Sequence, residues 1–159
     1  RGFLLNNEMD DFSSKPGEPN TYGLIGSEAN SIEPEKRMLS SMTPTIVEKN
    51  NKLFLVVGTP GGSTIITSVF QTILNIILFD MDIQSAVDAP RFHHQWKPEN
   101  IYMEKDLASD SLHDKLVKMG HTPKIRGNIG HVNAIMYNEN TLSIGADKRG
   151  DNYGEIINK

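Results

Sequence analysis

Four small clusters in this 159-residue chain carry groups that could do chemistry. Glu8, Asp10 and Asp11 follow the apolar run Gly2-Phe3-Leu4-Leu5. Carboxylates placed there can bind an ammonium group, bind a metal, exchange protons or form a solvated acidic turn. Neighbours on an extended backbone point to opposite sides, so Asp11 is expected to point with Met9 rather than Asp10, and at most two of the three carboxylates to share a site. Ser40-Ser41 offers two hydroxyls beside backbone N–H groups, as a holder for a carboxylate or as a cap. Gly61-Gly62 lets the backbone approach a ligand with its N–H groups outward, which suits an anion or oxyanion, and equally suits a tight turn that needs positive φ. It has neither the third glycine of a dinucleotide loop nor the Gly-Lys-Ser/Thr of a phosphate loop. His93-His94 is expected to be structural, because adjacent residues in extended chain cannot both face one ion and no third ligand stands nearby. No metal site is expected there.

The elements that must position these groups follow from local pattern. Gly2–Leu5 reads as the end of a strand, and 12–37, rich in Ser, Pro, Gly, Asn and Glu, as a long loop of the kind that is most often functional or mobile. Thr43–Val47 and Leu53–Val57 form a hairpin with a polar turn. The second run meets Thr59-Pro60-Gly61-Gly62-Ser63, after which apolar residues at 65, 66, 69, 70, 73, 74, 77 and 78 predict a buried helix over 64–79. A second helix is predicted at Ile83–Val87, stopped by Pro90, with extended chain at Arg91–Trp96 and a short strand at Ile101–Glu104. An amphipathic helix over Ser109–Met119 ends at Gly120, and Val132–Tyr137 with Thr141–Ile144 makes a last hairpin. Residues 146–159 read as a polar tail, and no internal repeat is present.

Composition narrows the class. With 37% hydrophobic and 23% charged residues the chain is globular in character, and one domain over 1–159 is expected. The formal charge of -4 and the scattered Lys and Arg argue against nucleic acid. The most apolar stretch, 65–79, is too short and too polar to be a transmembrane segment. The absence of cysteine removes disulfides, thiolate metal sites and a cysteine nucleophile. A start at Arg1 without Met or a signal-like segment suggests a fragment or a processed chain.

Four segments in order, Gly2-Phe3-Leu4-Leu5-Asn6-Asn7-Glu8-Met9-Asp10-Asp11-Phe12, Leu39-Ser40-Ser41-Met42-Thr43-Pro44-Thr45, Thr59-Pro60-Gly61-Gly62-Ser63 and Ala89-Pro90-Arg91-Phe92-His93, resemble the small subunit of the γ-glutamyltranspeptidases. The resemblance covers essentially the whole chain. It implies an α/β fold of the N-terminal nucleophile hydrolase type, a four-layer αββα sandwich of which this chain is a partial copy. It implies a precursor that cuts itself, and an N-terminal threonine that attacks the γ-glutamyl amide of glutathione or related donors, with transfer to water, an amino acid or a peptide and no cofactor. By the same resemblance Asp11, helped by Glu8, binds the donor's α-ammonium, Ser40 and Ser41 hold its α-carboxylate, and Gly61 and Gly62 form the oxyanion hole. The partner is the large subunit of the same precursor, and the location is periplasmic or secreted.

Three departures accompany the resemblance. The nucleophilic threonine is expected some tens of residues before the Leu-Leu-Asn-Asn motif, hence outside this chain, so residues 1–159 alone are expected to be inactive. The family's carboxylate-binding arginine lies in the large subunit. Thr64 stands where many members carry an arginine. A glutamate-like zwitterion-binding module without chemistry, or an amide acylase of the same fold, are the alternative readings. In isolation the chain is expected to expose sheet edges and apolar surface and to self-associate through them.

Overall fold

The computed structural model describes residues 2–157; Arg1, Asn158 and Lys159, and with them the ends of the expected 1–159 domain and 146–159 tail, lie outside the described residues. The chain divides into two compact units, residues 1–42 and 43–159.

The smaller unit has almost no regular structure. Gly2–Leu5, expected to end a strand, is irregular backbone with Leu4 99% exposed. A strand needs a ladder partner, and none of the described residues pairs with it. Glu8–Asp11 and Glu28–Asn30 are single 3₁₀ turns. The loop between them is folded back on itself through bridges at Ser13/Ser31 and Pro19/Ile25. Asn20 organises its tip by accepting the N–H groups of Tyr22 and Leu24, both at 3.0 Å. Phe12 is the apolar side chain this unit buries.

The larger unit contains the regular elements. Strands β1 (Thr45–Lys49) and β2 (Lys52–Gly58) form the expected hairpin, closed by Asn50 and Asn51 at φ 55° and 57°. Two residues at positive φ are what the twist of a two-residue hairpin requires, and Asn tolerates the left-handed region. Strands β6 (Asn133–Asn138) and β7 (Thr141–Ala146) form the other hairpin, and β2 pairs with β6 to give an antiparallel sheet of order β1-β2-β6-β7. A second sheet has β4 (Asn100–Glu104) between β3 (Phe92–His93) and β5 (Thr122–Arg126), with β4 and β5 parallel. Helix α3 (Asp110–Lys118), whose cap Ser109 accepts the Leu112 N–H, is the crossover that parallel strands need. β5 has no counterpart in the sequence reading, because Pro123 weakens a strand signal; its place at a sheet edge is where proline is tolerated.

Helix α1 (Ile65–Ile77) and α2 (Ile83–Asp88) cover one face of the antiparallel sheet. The core joins Phe54, Leu55, Val57, Ile65, Val69, Ile76, Ile83, Ala86, Val87, Val132 and Ala134. α1 is not buried all round: Ile65, Ser68, Val69, Thr72 and Ile76 face inward, while Ile66 and Phe70 are 64% and 57% exposed. The opposite face of the sheet carries a row of neighbours across all four strands, Ile46, Val56, Ile135 and Ile144. The first three are exposed.

The expected polar tail turns back into the larger unit. Asp147 is fully buried and Arg149 nearly so, and they join Arg91 and Glu104 in a neutral cluster of four charges. Arg149 meets Glu104 at 2.6 and 2.7 Å and Asp147 at 3.0 Å, and Arg91 meets Asp147 at 2.8 Å. Both arginines also donate to the Val87 carbonyl at the end of α2, and Arg149 to that of Ala89. Burial pushes both carboxyls up, but the hydrogen bonds of Arg149 and of backbone N–H groups outweigh it and hold Glu104 and Asp147 below their ordinary range. Burial would lower Arg149 too, and its two carboxylate partners instead raise it.

Candidate active site

The expected site residues fall into two groups, one in each unit. In the smaller unit, the 3₁₀ turn replaces the extended chain expected through Met9–Asp11. Residues three apart eclipse in such a turn, so Glu8 stands over Asp11 and Asp10 points elsewhere. Asp11 Oδ1 accepts the Ser41 hydroxyl at 2.8 Å across thirty positions of sequence. Ser40 Oγ accepts the Met42 N–H at 3.4 Å, which leaves its own proton uncommitted among the described residues. Glu8, Ser40 and Ser41 are exposed and Asp11 is half-buried.

Asn30, which sequence reasoning missed, draws the two motifs together. Its amide donates to the Asp11 carbonyl at 2.7 Å, and its carbonyl oxygen accepts the Leu39 N–H at 3.0 Å. An asparagine that serves one donor and one acceptor in separate segments clamps backbone groups that no regular element satisfies. Nothing in the sequence marks it among the Asn, Ser and Gly of the loop. The cluster combines carboxylate acceptors with hydroxyl donors, the two kinds of group that bind a zwitterion.

In the larger unit, Gly61 and Gly62 turn β2 into the 3₁₀ start, Gly62–Thr64, of α1. Their φ values are 145° and 56°. A side chain at 61 would be strained, and its Cβ would stand 2.6 Å from Thr64 Oγ1. Among the described residues neither the Gly61 nor the Gly62 N–H has a hydrogen-bond acceptor, and Gly61 is exposed. Two such donors at the head of a helix fit an oxyanion.

The turn is backed by Gly130 and His131, also absent from the sequence reading. The His131 N–H donates to Thr59 Oγ1 at 2.8 Å, and a Cβ on Gly130 would lie 2.9 Å from the hydroxyls of both Thr59 and Ser68. The flanks of this loop are tied to the charge cluster, since Ile129 N–H donates to Glu104 and Val132 N–H to Asp147. His93 is buried between Thr67 Oγ1 at 2.8 Å and Gln95 Oε1 at 2.7 Å, whereas His94 is exposed with its ring 6.4 Å from that of His121. Burial lowers the His93 pKa below its ordinary 6.5. No three acidic or imidazole side chains are grouped as a metal would need among the described residues.

Comparison with known proteins identifies the family and the fold. The family model described as gamma-glutamyltranspeptidase matches residues 1–157. A glutathione hydrolase proenzyme of Escherichia coli is 50% identical over 136 residues, 85% of this chain and 23% of the relative. The chain spans about a quarter of the length of the curated relatives it matches. A mutant Helicobacter pylori γ-glutamyltranspeptidase superposes at a TM-score of 0.90 with 54% identity, covering 94% of this chain and 82% of that one. A Pseudomonas nitroreducens γ-glutamyltranspeptidase complexed with L-DON superposes at 0.91 with 47% identity, covering 99% and 83%. The mixed α/β architecture is thus that of the N-terminal nucleophile hydrolases, and with a family match over residues 1–157 the chain belongs to the γ-glutamyltranspeptidase family.

Proposed function

We propose that the protein containing these residues transfers γ-glutamyl groups from glutathione and related donors to water, amino acids or peptides through a threonine acyl-enzyme, with the threonine lying outside residues 1–159. The observation that carries this reading is the Gly61-Gly62 turn with its two uncommitted N–H donors at the head of α1. As the threonine oxygen adds to the γ-carbonyl, negative charge collects on the carbonyl oxygen, and the two N–H groups donate hydrogen bonds to it. A donor of this kind is typically worth about 3 kcal/mol of barrier. Glu8 and Asp11 accept the α-ammonium hydrogens, Ser40 donates to the α-carboxylate, and Ser41 does so when it releases Asp11.

The large subunit of the same precursor is the proposed partner. Supporting it are the exposed row Ile46, Val56 and Ile135 and the exposed Ile66 and Phe70 of α1, apolar surface of the kind a protein interface covers. A periplasmic or secreted location accompanies the reading; no helix of the described residues is long and apolar enough to cross a membrane.

A γ-glutamyl p-nitroanilide assay tests the proposal. The complete protein is expected to release the anilide and residues 1–159 alone to release none. Asp11→Asn in the complete protein should raise KM by roughly tenfold or more, since one charged ammonium contact is worth about 1.5–3 kcal/mol. Binding of glutamate by the complete protein without any turnover would overturn the reaction and leave a zwitterion-binding module.

A further inference from the structure

The two donors of the glycine turn are aimed by peptide planes, and each plane is held from behind by a buried threonine. In a trans peptide the carbonyl and the following N–H point in opposite directions. The Pro60–Gly61 and Gly61–Gly62 bonds are trans, the cis bond among the described residues being Lys97–Pro98. Thr59 Oγ1 donates to the Pro60 carbonyl at 2.7 Å, which turns the Gly61 N–H away from the core. Thr64 Oγ1 donates to the Gly61 carbonyl at 2.8 Å, reinforced by the Thr64 N–H at 3.1 Å, and this turns the Gly62 N–H away in the same manner. Thr59 is 8% exposed and Thr64 1%.

The hydroxyl directions are themselves constrained. A threonine hydroxyl has one proton, and at Thr59 the His131 N–H occupies the acceptor side, so the proton goes to Pro60. Gly130 lets that loop approach, because a Cβ there would meet Thr59 Oγ1 at 2.9 Å. At Thr64 the side chain fills the space that a Cβ on Gly61 would need. A glycine pair with free φ and ψ can rotate either N–H out of line, so something outside the pair must lock it.

We infer that Thr59 and Thr64 are positioning residues that lock the two oxyanion donors, Thr59 acting through Pro60 on the Gly61 N–H and Thr64 through the Gly61 carbonyl on the Gly62 N–H. This rests on the oxyanion role proposed above for the turn. It assigns a task to Thr64. The locking serves the tetrahedral state and not the ground state, because the planar γ-carbonyl places its oxygen elsewhere.

The test uses the complete protein with Thr59→Val, Thr64→Val and the serine variants at both positions. Each valine variant is expected to lower kcat for γ-glutamyl p-nitroanilide by roughly 10- to 100-fold with KM within about threefold, and each serine variant to stay within about threefold of the parent. Affinity for a γ-glutamyl boronic acid, whose adduct carries a tetrahedral oxyanion, should fall in parallel with kcat/KM while affinity for L-glutamate is unchanged. A purely structural role would lower both affinities together, and that result would overturn the inference, as would valine variants with undiminished kcat. If a valine variant fails to fold, cysteine at that position, shaped like serine but a weak hydrogen bonder, should fall between the two; cysteine equal to serine would overturn the assignment. A parent protein without turnover defeats the proposed reaction instead, so the two failures are separable.

Discussion

Among the described residues, 2–42 bury one apolar side chain, Phe12, whereas 43–157 bury a core of eleven residues from two helices and a sheet and seat four charged side chains at its edge. The smaller unit keeps its order through single polar contacts such as the Asn30 clamp. The contrast matches the work each half is proposed to do. A zwitterion pocket needs exposed, adjustable polar groups, and Ser41 can exchange Asp11 for a ligand at little cost. An oxyanion turn needs donors that do not move, and Gly61 and Gly62 are locked on the core by Thr59 and Thr64.

The contrast can be broken most sharply at Arg149. Arg149→Met leaves Glu104 and Asp147 buried with half of their countercharge, and a loss of about 3–5 kcal/mol is expected in urea unfolding of the complete protein. Leu55→Ala, at a position with no exposure, should cost about 3 kcal/mol in the same measurement through the cavity it leaves. Asn30→Ala should cost only about 1–2 kcal/mol, and locally. Limited proteolysis is expected to cut within 8–42 several times faster while the main unfolding transition keeps its midpoint. A global loss as large as that of Leu55→Ala would show that the two units are not separately stabilised.

The smallest effect is on acidification. His93 has its pKa lowered by burial, so its contribution is complete above the ordinary 6.5 and is lost as pH falls below that value. Glu104 and Asp147 are also lowered, so theirs is complete above the ordinary 4.5 and 3.8 and is lost as pH falls further. Amide exchange at Ile129 and Val132, corrected for intrinsic rate, should show protection constant above about pH 7 and falling in two stages below it. Protection that rises on acidification would contradict both assignments.

Much of the larger unit was legible in the sequence, because its signals are local. The helical spacing from Ile65, the apolar runs of the two hairpins, the amphipathic pattern over Ser109–Met119 and the stop before Pro90 each act within a few residues, and each element appears within a residue or two of its expected place. In the smaller unit the carboxylate and hydroxyl motifs could be named from the sequence but the backbone could not be read: Gly2–Leu5 forms no strand, and nothing marked the 3₁₀ turn over Glu8–Asp11.

By itself the sequence determined most helices and both hairpins of the larger unit, the family and the identity of the chemical groups, since propensity, periodicity and motif need no distant partner. Tertiary structure decided how those groups are held. Asn30 clamps Asp11 from 19 residues away, Arg149 meets Glu104 from 45, and His131 reaches Thr59 from 72. Such bonds join positions with no fixed spacing and leave no periodic trace in the chain. Asp147 and Arg149 therefore read as part of a polar tail, whereas the fold carries them inside, where unpaired charge is too costly to bury and each has its partner.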